Sequence, residues 1–204
     1  MFIDKDTGKI DLPNGLTLTP ESNKSEFEGS DCFHQATPFD YGTLPFQWYR
    51  LDAGQLDGYT LKILLCFYLE ELVIFQAGVN FHPTNPAKWE DWSLEIQSKE
   101  NLFHEKLLKN ILGDPHEIIS SGTDYPGLEY NIKYSYKWGK VWSGYDSRAG
   151  SSSIVIRYGS RLENAQKHYE KYFQTAHSTF PKNVQQSEHW SMKFLRRLRA
   201  FFWR

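Results

Sequence analysis

Two side chains near the start of the chain are of the types that form a nucleophile and its base. Cys32 and His34 are two residues apart, and in an extended segment they would point to one side, with Asp31 and Asp40 nearby in sequence. A Cys-His pair is recognised by its geometry in space, so this spacing gives weak support. The alternative is a small loop cysteine beside an exposed histidine. A hydrolase using this pair is therefore one functional hypothesis, and it predicts thiol-dependent turnover.

The spacing of the histidines argues against a metal site. His104-Glu105 and His116-Glu117 each begin like a zinc-binding helix, but Leu108 and Ser120 occupy the positions of the second histidine. No phosphate-binding glycine loop, nucleotide fingerprint or GxSxG elbow occurs in the sequence. We therefore predict no catalytic residue, no metal site, no cofactor and no enzymatic activity.

Length and composition indicate a globular protein with its own core. The chain has 204 residues, of which 40% are hydrophobic and 16% aromatic, enough to bury a core without disulfides or metals. Cys32 and Cys66 are its two cysteines and do not form a CxxC motif, which favours a reducing compartment. No signal peptide and no apolar run long enough to span a bilayer is recognisable. We expect a cytoplasmic protein.

Charge is distributed unevenly along the chain. Residues 1–100 hold seven Lys and Arg against sixteen Asp and Glu, whereas residues 101–204 hold sixteen against nine, giving −9 and +7. This polarity is consistent with steering of a charged partner or with attraction between two halves of one fold. The acidic half and the net charge of −2 argue against a nucleic-acid partner.

Alternating apolar and polar residues predict an antiparallel sheet. Segments 61–68 and 72–75 are predicted as central strands joined by a turn at 69–71. The clearest period of two runs from Leu128 to Tyr136, and further strands are predicted at 141–145 and 154–158. An opening hairpin is predicted around the turn Pro13-Asn14-Gly15.

Capping residues predict two main helices. Ser98 can cap a helix that ends at Gly113, with Phe103, Leu107 and Ile111 on its apolar face. A capping box at 160–163 opens the second helix. The order of strands, helix, strands and helix predicts an α+β fold, with an antiparallel sheet of about five or six strands packed with two main helices.

The strongest amphipathic pattern lies at the end of the chain. On a helical wheel, six apolar residues share an arc of roughly 140° and the basic residues lie outside it; the six are Trp190, Phe194, Leu195, Leu198, Phe201 and Phe202. We predict one α+β domain at 1–180, followed by a connector and a basic amphipathic C-terminal helix at 181–204. Residues 188–204 could dock on the body, lie on a membrane surface or bind a partner, and these alternatives stay open.

Two groups of residues resemble bacterial immunity-type proteins encoded beside secreted polymorphic toxins. The first is Thr7-Gly8-Lys9-Ile10-Asp11-Leu12-Pro13-x-Gly15-Leu16-x-Leu18-x-Pro20, followed by Phe27. The second is Trp138-Gly139-Lys140-Val141 with Asp146-x-Arg148-x-Gly150-x-x-x-Ile154. The resemblance implies neutralisation of a cognate protein toxin by direct binding, without a cofactor, and it brings no catalytic residues with it.

A partner-binding patch is predicted on loops and strand ends. Its candidate anchors combine aromatic rings with charge: Trp89, Asp91, Trp92, Tyr145 and Arg148. Two indoles that flank two acids at 89–92 resemble a protein-contact hot spot. The alternative interpretation is that both indoles fill the edge of the core.

Overall fold

A computed structural model describes residues 1–39, 45–79, 81, 93–147 and 150–179, with side chains as far as residue 171. The fold is α+β, as predicted: within this part of the chain, eight strands form one antiparallel sheet and three form another, with three α-helices. The chain divides into two compact units, Met1–Ala165 and Gln166–Arg204, and both sheets belong to the first.

The small sheet is built by the N-terminal residues. Its strands are β1 (Phe2–Ile3), β2 (Ile10–Asp11) and β3 (Thr17–Leu18), paired in that order. The predicted opening hairpin corresponds to β2 and β3. Helix α1 (Lys24–Glu28) begins after Asn23, whose side chain accepts from the Glu26 N–H at 2.8 Å, and a 3-10 helix follows at Asp31–Gln35.

The large sheet carries most of the core. Its strands are β4 (Thr37–Phe39), β5 (Phe46–Leu56), β6 (Tyr59–Tyr68), β7 (Glu71–Val79), β8 (Glu117–Ser120), β9 (Tyr130–Tyr136), β10 (Gly139–Asp146) and β11 (Ser151–Tyr158). Their order is β4-β5-β6-β7-β11-β10-β9-β8. Two meanders of four strands therefore meet where the last strand of each, β7 and β11, pair antiparallel.

Two longer helices complete the described part of the chain. Helix α2 (Leu94–Leu112) begins after Ser93, whose hydroxyl accepts from the Ile96 N–H, and ends at Gly113, whose φ of +85° favours glycine. Helix α3 (Gly159–Thr179) follows β11 directly. The predicted cap of α2 at Ser98 was wrong by five residues, since the helix already begins at Leu94.

One cross-strand row shows how the core face of the sheet is filled. Successive register partners run from β5 to β8 through Leu51, Ile63, Ala77, Ile154, Ser143, Ile132 and Ile118. All except Ile118 are buried, and α2 packs against β7, β10 and β11 of the sheet. Ile118, at the end of the row, is 61% exposed.

The sheet has eight strands rather than the five or six predicted, because β4, β5 and β8 were missed. The hairpin between β5 and β6 turns at Asp57-Gly58, both with positive φ, and this Asp-Gly pair was the sequence signal that could have revealed β5. The predicted C-terminal helix at 188–204 lies outside the described residues. The domain boundary near residue 180 stays a prediction.

Candidate functional site

The Cys-His pair does not form the predicted arrangement. Cys32 and His34 lie in the 3-10 helix, not in an extended segment, and residues two apart in such a helix point about 120° apart. Burial, followed by the negative charge of Asp31, raises the pKa of the Cys32 thiol, which opposes formation of a thiolate. Asp40 lies outside the described residues. The geometry therefore gives the hydrolase hypothesis no support.

The described part of the chain contains neither a metal-binding cluster nor a helix that could span a membrane. Among residues 1–39, 45–79, 81, 93–147 and 150–179, no group of three His, Cys, Asp or Glu is placed to hold a metal ion. No helix in these ranges is both long and apolar enough to cross a membrane.

The predicted partner-binding patch can be located at one of its five positions. Tyr145 is the penultimate residue of β10, where its side chain is 7% exposed and its N–H donates to Asn131 Oδ1 at 3.1 Å. Trp89, Asp91, Trp92 and Arg148 lie outside the described residues. The patch as a whole stays a prediction.

The two motifs that carry the sequence resemblance lie together in the fold. The Trp138 ring covers Gly8 so closely that a Cβ at Gly8 would come within 2.5 Å of it. Trp138 Nε1 donates to the Lys5 carbonyl at 2.9 Å, and the Trp138 ring stacks on Tyr136 at 5.2 Å between centroids. These motif residues therefore join the small sheet to the β9–β10 turn, which is a structural role.

The face of α2 that meets the sheet is unexpectedly polar. Its buried residues are Gln97, Glu100, Asn101, His104, Leu108 and Leu112. The predicted apolar residues Phe103, Leu107 and Ile111 are only partly buried at the margin of the core, so the predicted face was rotated from the real one. Hydrogen bonds from this face to neighbouring strands and to a loop offset part of the cost of burying polar groups.

Side chains of this face bind the backbone of neighbouring strands. Gln97 Oε1 accepts from the Ser152 N–H at 2.9 Å, and Ser152 Oγ donates to the Gln97 carbonyl at 3.1 Å. His104 Nε2 accepts from the Val79 N–H at 3.2 Å. Burial lowers the pKa of His104 to about 4, so the imidazole is neutral at pH 7.

The loop between β8 and β9 is also fixed to α2. Asn101 Nδ2 donates to the Gly127 carbonyl at 2.9 Å, and Ser98 Oγ donates to the Pro126 carbonyl at 2.7 Å. Leu102 packs against the same loop, since a Cβ at Gly127 would come within 3.1 Å of Leu102 Cδ1. The position of the loop, and of the strand before it, is thus set by α2.

Strand β8 ends the large sheet with an open edge. All four of its residues are exposed. The Ser121 N–H donates to the Glu129 carbonyl at 2.9 Å, so the alternation of an antiparallel pair directs the backbone groups of Glu117 and Ile119 towards β9. The N–H and C=O groups of Ile118 and Ser120 point the other way, where the described sheet has no further strand.

Exposed apolar side chains collect at this edge. Within the described ranges, four of the seven large apolar side chains that are exposed belong to it; these four, the β8 edge surface, are Leu102, Ile118, Ile119 and Tyr130. Ile118 and Tyr130 lie on the core face of the sheet, because Ile118 pairs with buried Ile132 and Tyr130 is two residues from it. Ile119 lies on the opposite face.

The two edges of the large sheet differ. At the far edge, β4 has three residues and carries Pro38, which has no N–H to donate. Proline at an edge is a common device that prevents pairing with another chain. Strand β8 has no proline and presents two consecutive isoleucines. Among the described residues, the β4 edge thus carries a proline and the β8 edge does not.

Acidic residues flank β8 in the sequence. Between Lys109 and Lys133 the chain holds no Lys or Arg, but it holds four carboxylates: Asp114, Glu117, Asp124 and Glu129. Glu117 pairs with Lys133 across the strands at 2.7 Å, and Glu129 Oε2 accepts from the Gly127 N–H at 2.7 Å. Asp114 and Asp124, at the two ends of β8, are both exposed.

Comparisons with known proteins give one match. No family model and no curated protein matches the chain. A chain of the solved structure "Rhs1-CT in complex with cognate immunity protein RhsI1" aligns with 88% of this chain and 99% of its own length, at 12% identity and a TM-score of 0.47. That complex contains an immunity protein, the class of protein that the sequence motifs resemble.

Proposed function

We propose that this chain is a non-enzymatic binding module that neutralises a cognate bacterial protein toxin by direct contact in the cytoplasm. The β8 edge surface carries the proposal, because it combines exposed apolar side chains with outward-facing backbone groups that have no strand partner in the described part of the chain. The residues at 7–20 and 138–154 resemble those of immunity-type proteins and support the same class. The raised pKa of the Cys32 thiol disfavours a nucleophilic thiolate, so the Cys-His hydrolase alternative has less support.

Co-expression with the candidate toxin tests this function. The probe is the C-terminal domain encoded by the reading frame immediately upstream, expressed alone and together with this chain. We expect the domain alone to arrest growth and co-expression to restore it, with a purified complex at one-to-one stoichiometry. A toxic upstream product that neither binds this chain nor is neutralised by it would contradict the proposal, as would an upstream product without toxicity.

The sequence-derived patch can be tested in the same complex. Trp89, Asp91, Trp92, Tyr145 and Arg148 are proposed to contact the toxin, so reversing the charge at Asp91→Lys and at Arg148→Glu should weaken binding. We expect at least about a tenfold rise in Kd for a charge at the centre of the interface. Unchanged affinity in both variants would refute the patch while leaving the neutralising function in place.

A further inference from the structure

We infer that the toxin binds at the β8 edge by adding a strand of its own to the eight-stranded sheet, through an extended segment that carries apolar side chains flanked by Lys or Arg. This inference rests on the proposed function and names the surface and the chemistry of the partner segment.

Backbone geometry supports strand addition. The N–H and C=O groups of Ile118 and Ser120 point outwards, whereas those of Glu117 and Ile119 are engaged with β9. A partner strand could therefore form up to four hydrogen bonds without disturbing any bond of the sheet. Asn101 and Ser98 of α2 also hydrogen-bond the loop that follows the edge, which reduces the conformational entropy that this loop can lose on binding.

The cross-strand row of apolar side chains that ends at Ile118 indicates that the partner segment is itself apolar. The row that begins at Leu51 ends at Ile118, whose outer side has no neighbouring strand in the described sheet. An added strand would place a side chain beside Ile118 and Tyr130 on the core face, and another beside Ile119 on the opposite face. Alternate side chains of one extended segment would thus cover both faces of the edge.

Charge determines the flanking residues of that segment. Asp114 precedes β8 and Asp124 follows it, both exposed, with no Lys or Arg from residue 110 to residue 132. A partner segment with Lys or Arg near either end would be attracted in either strand direction. An acidic segment would be repelled.

The same charges argue against a second copy of this chain. Pairing Ile118 with Ser120 of a second copy about a two-fold axis would bring Asp114 of one copy towards Asp124 of the other. A toxin segment with Lys or Arg near its ends avoids this repulsion.

A proline substitution tests the backbone contact. Ser120→Pro removes an outward N–H and keeps every bond between β8 and β9, and Ile119 before it is already extended, as proline requires. Ser120→Ala is the matched control, because it loses the same hydroxyl but keeps the N–H. We expect Ser120→Pro to raise the Kd for the upstream-encoded toxin domain at least about tenfold, and Ser120→Ala to change it less than about twofold.

A second pair of variants tests the side chains. Ile118→Lys should weaken binding at least about tenfold, because it removes the apolar end of the row. Leu69→Lys changes an equally apolar, 52% exposed residue in the turn between β6 and β7, and should leave affinity unchanged. The double variant Asp114→Asn, Asp124→Asn should weaken binding at low salt, and its effect should shrink at about 0.5 M salt.

Hydrogen exchange keeps the inference testable if a variant misfolds. In the wild-type chain, the amides of Ile118 and Ser120 should exchange freely alone and become protected in the toxin complex. The amide of Ile119, already bonded to β9, should change less. Protection that does not alternate, or none at all on β8, would overturn strand addition.

The outcomes separate the two proposals. Toxin binding that withstands Ser120→Pro and Ile118→Lys refutes the edge and leaves neutralisation standing. Absence of binding by the wild-type chain refutes both. A concentration-dependent dimer of the free chain that Ser120→Pro dissociates would show that a second copy occupies the edge, which also overturns the inference.

Discussion

The imidazole of His104 is 1% exposed and packs against the end of β7, where Nε2 accepts from the Val79 N–H. Nδ1 has no hydrogen-bond partner among the described residues. Neutral imidazole tolerates this position, whereas a protonated ring would lose hydration and could no longer accept at Nε2. The folded state therefore resists protonation of His104 until about pH 4.

This resistance predicts acid sensitivity. Above about pH 6.5 both states carry neutral His104, so the residue adds no pH dependence. As pH falls from 6.5 towards the folded-state pKa of about 4, His104 becomes protonated in the unfolded state but stays neutral in the folded state. The free energy of unfolding therefore decreases. The expected loss is about 2 kcal/mol between pH 7 and pH 5. Urea unfolding at a series of pH values measures it.

His104→Gln provides the control, because its amide oxygen can accept from Val79 but does not titrate. The variant should be less stable than wild type at pH 7, and the difference should narrow by about 2 kcal/mol at pH 5. Glu105, whose pKa burial raises, has the opposite effect on stability as pH falls, and it cancels in this comparison because both proteins contain it. Parallel pH profiles would contradict the assignment.

Residue-level prediction from the sequence succeeded where local chemistry decides structure and failed where distant neighbours do. The turn predicted at 69–71 and the helix end at Gly113 follow from local signals; the helix ends there, and the turn is formed by Leu69 and Glu70, since β7 begins at Glu71. The buried polar face of α2 does not, because Gln97 and Asn101 hydrogen-bond to Ser152 and Gly127, which are 55 and 26 residues away in sequence. Single-residue patterns carry no information about such partners.

At the scale of elements, the strands with long alternation were predicted and the short edge strands were missed. Strand β9 alternates buried Ile132 and Tyr134 with more exposed neighbours, as its period of two predicts. Strand β8 has four residues, all exposed, and its pairing with β9 alone makes it a strand. The β8 edge surface therefore could not be found from periodicity, although the two exposed isoleucines are visible in the sequence.

Close packing of β10 on β11 gives an element-level prediction. A Cβ at Gly139 would lie 2.2 Å from the Arg157 carbonyl oxygen, a backbone atom that cannot move away alone. Gly139→Ala should lower the free energy of unfolding by about 1–3 kcal/mol, as overpacking does elsewhere. Chemical denaturation measures the change.

Gly159→Ala is the matched control. A Cβ there would meet its nearest neighbours, the Gly139 Cα and the Trp138 carbonyl, at an ordinary 3.8 Å, and alanine favours the helix that begins at this residue. Its stability should equal or exceed that of wild type. Equal destabilisation by both substitutions would show that the register of β10 and β11 is not as described.

At the scale of the whole molecule, three hypotheses assign different roles to residues 188–204, and a vesicle-binding experiment distinguishes membrane attachment from the other two. If these residues attach to a membrane surface, we expect the full chain to float with vesicles that contain anionic lipid, and we expect deletion of 188–204 to abolish flotation. Docking on the body or binding to a protein partner expects no flotation in either case. Neutral vesicles serve as the control, since the basic residues around the apolar arc would lose their attraction.

The pairing of β7 with β11 determines when the molecule can form during its synthesis. Strand β11 starts at Ser151, which comes 72 residues after Val79 at the end of β7, so β7 leaves the ribosome long before its second neighbour exists. Until then the edge of β7 that will pair with β11 has no partner. Four side chains of β7 that are fully buried in the folded chain are then exposed to other nascent chains: Leu72, Val73, Ile74 and Phe75. Slow or interrupted translation beyond residue 79 should therefore lower the yield of soluble protein.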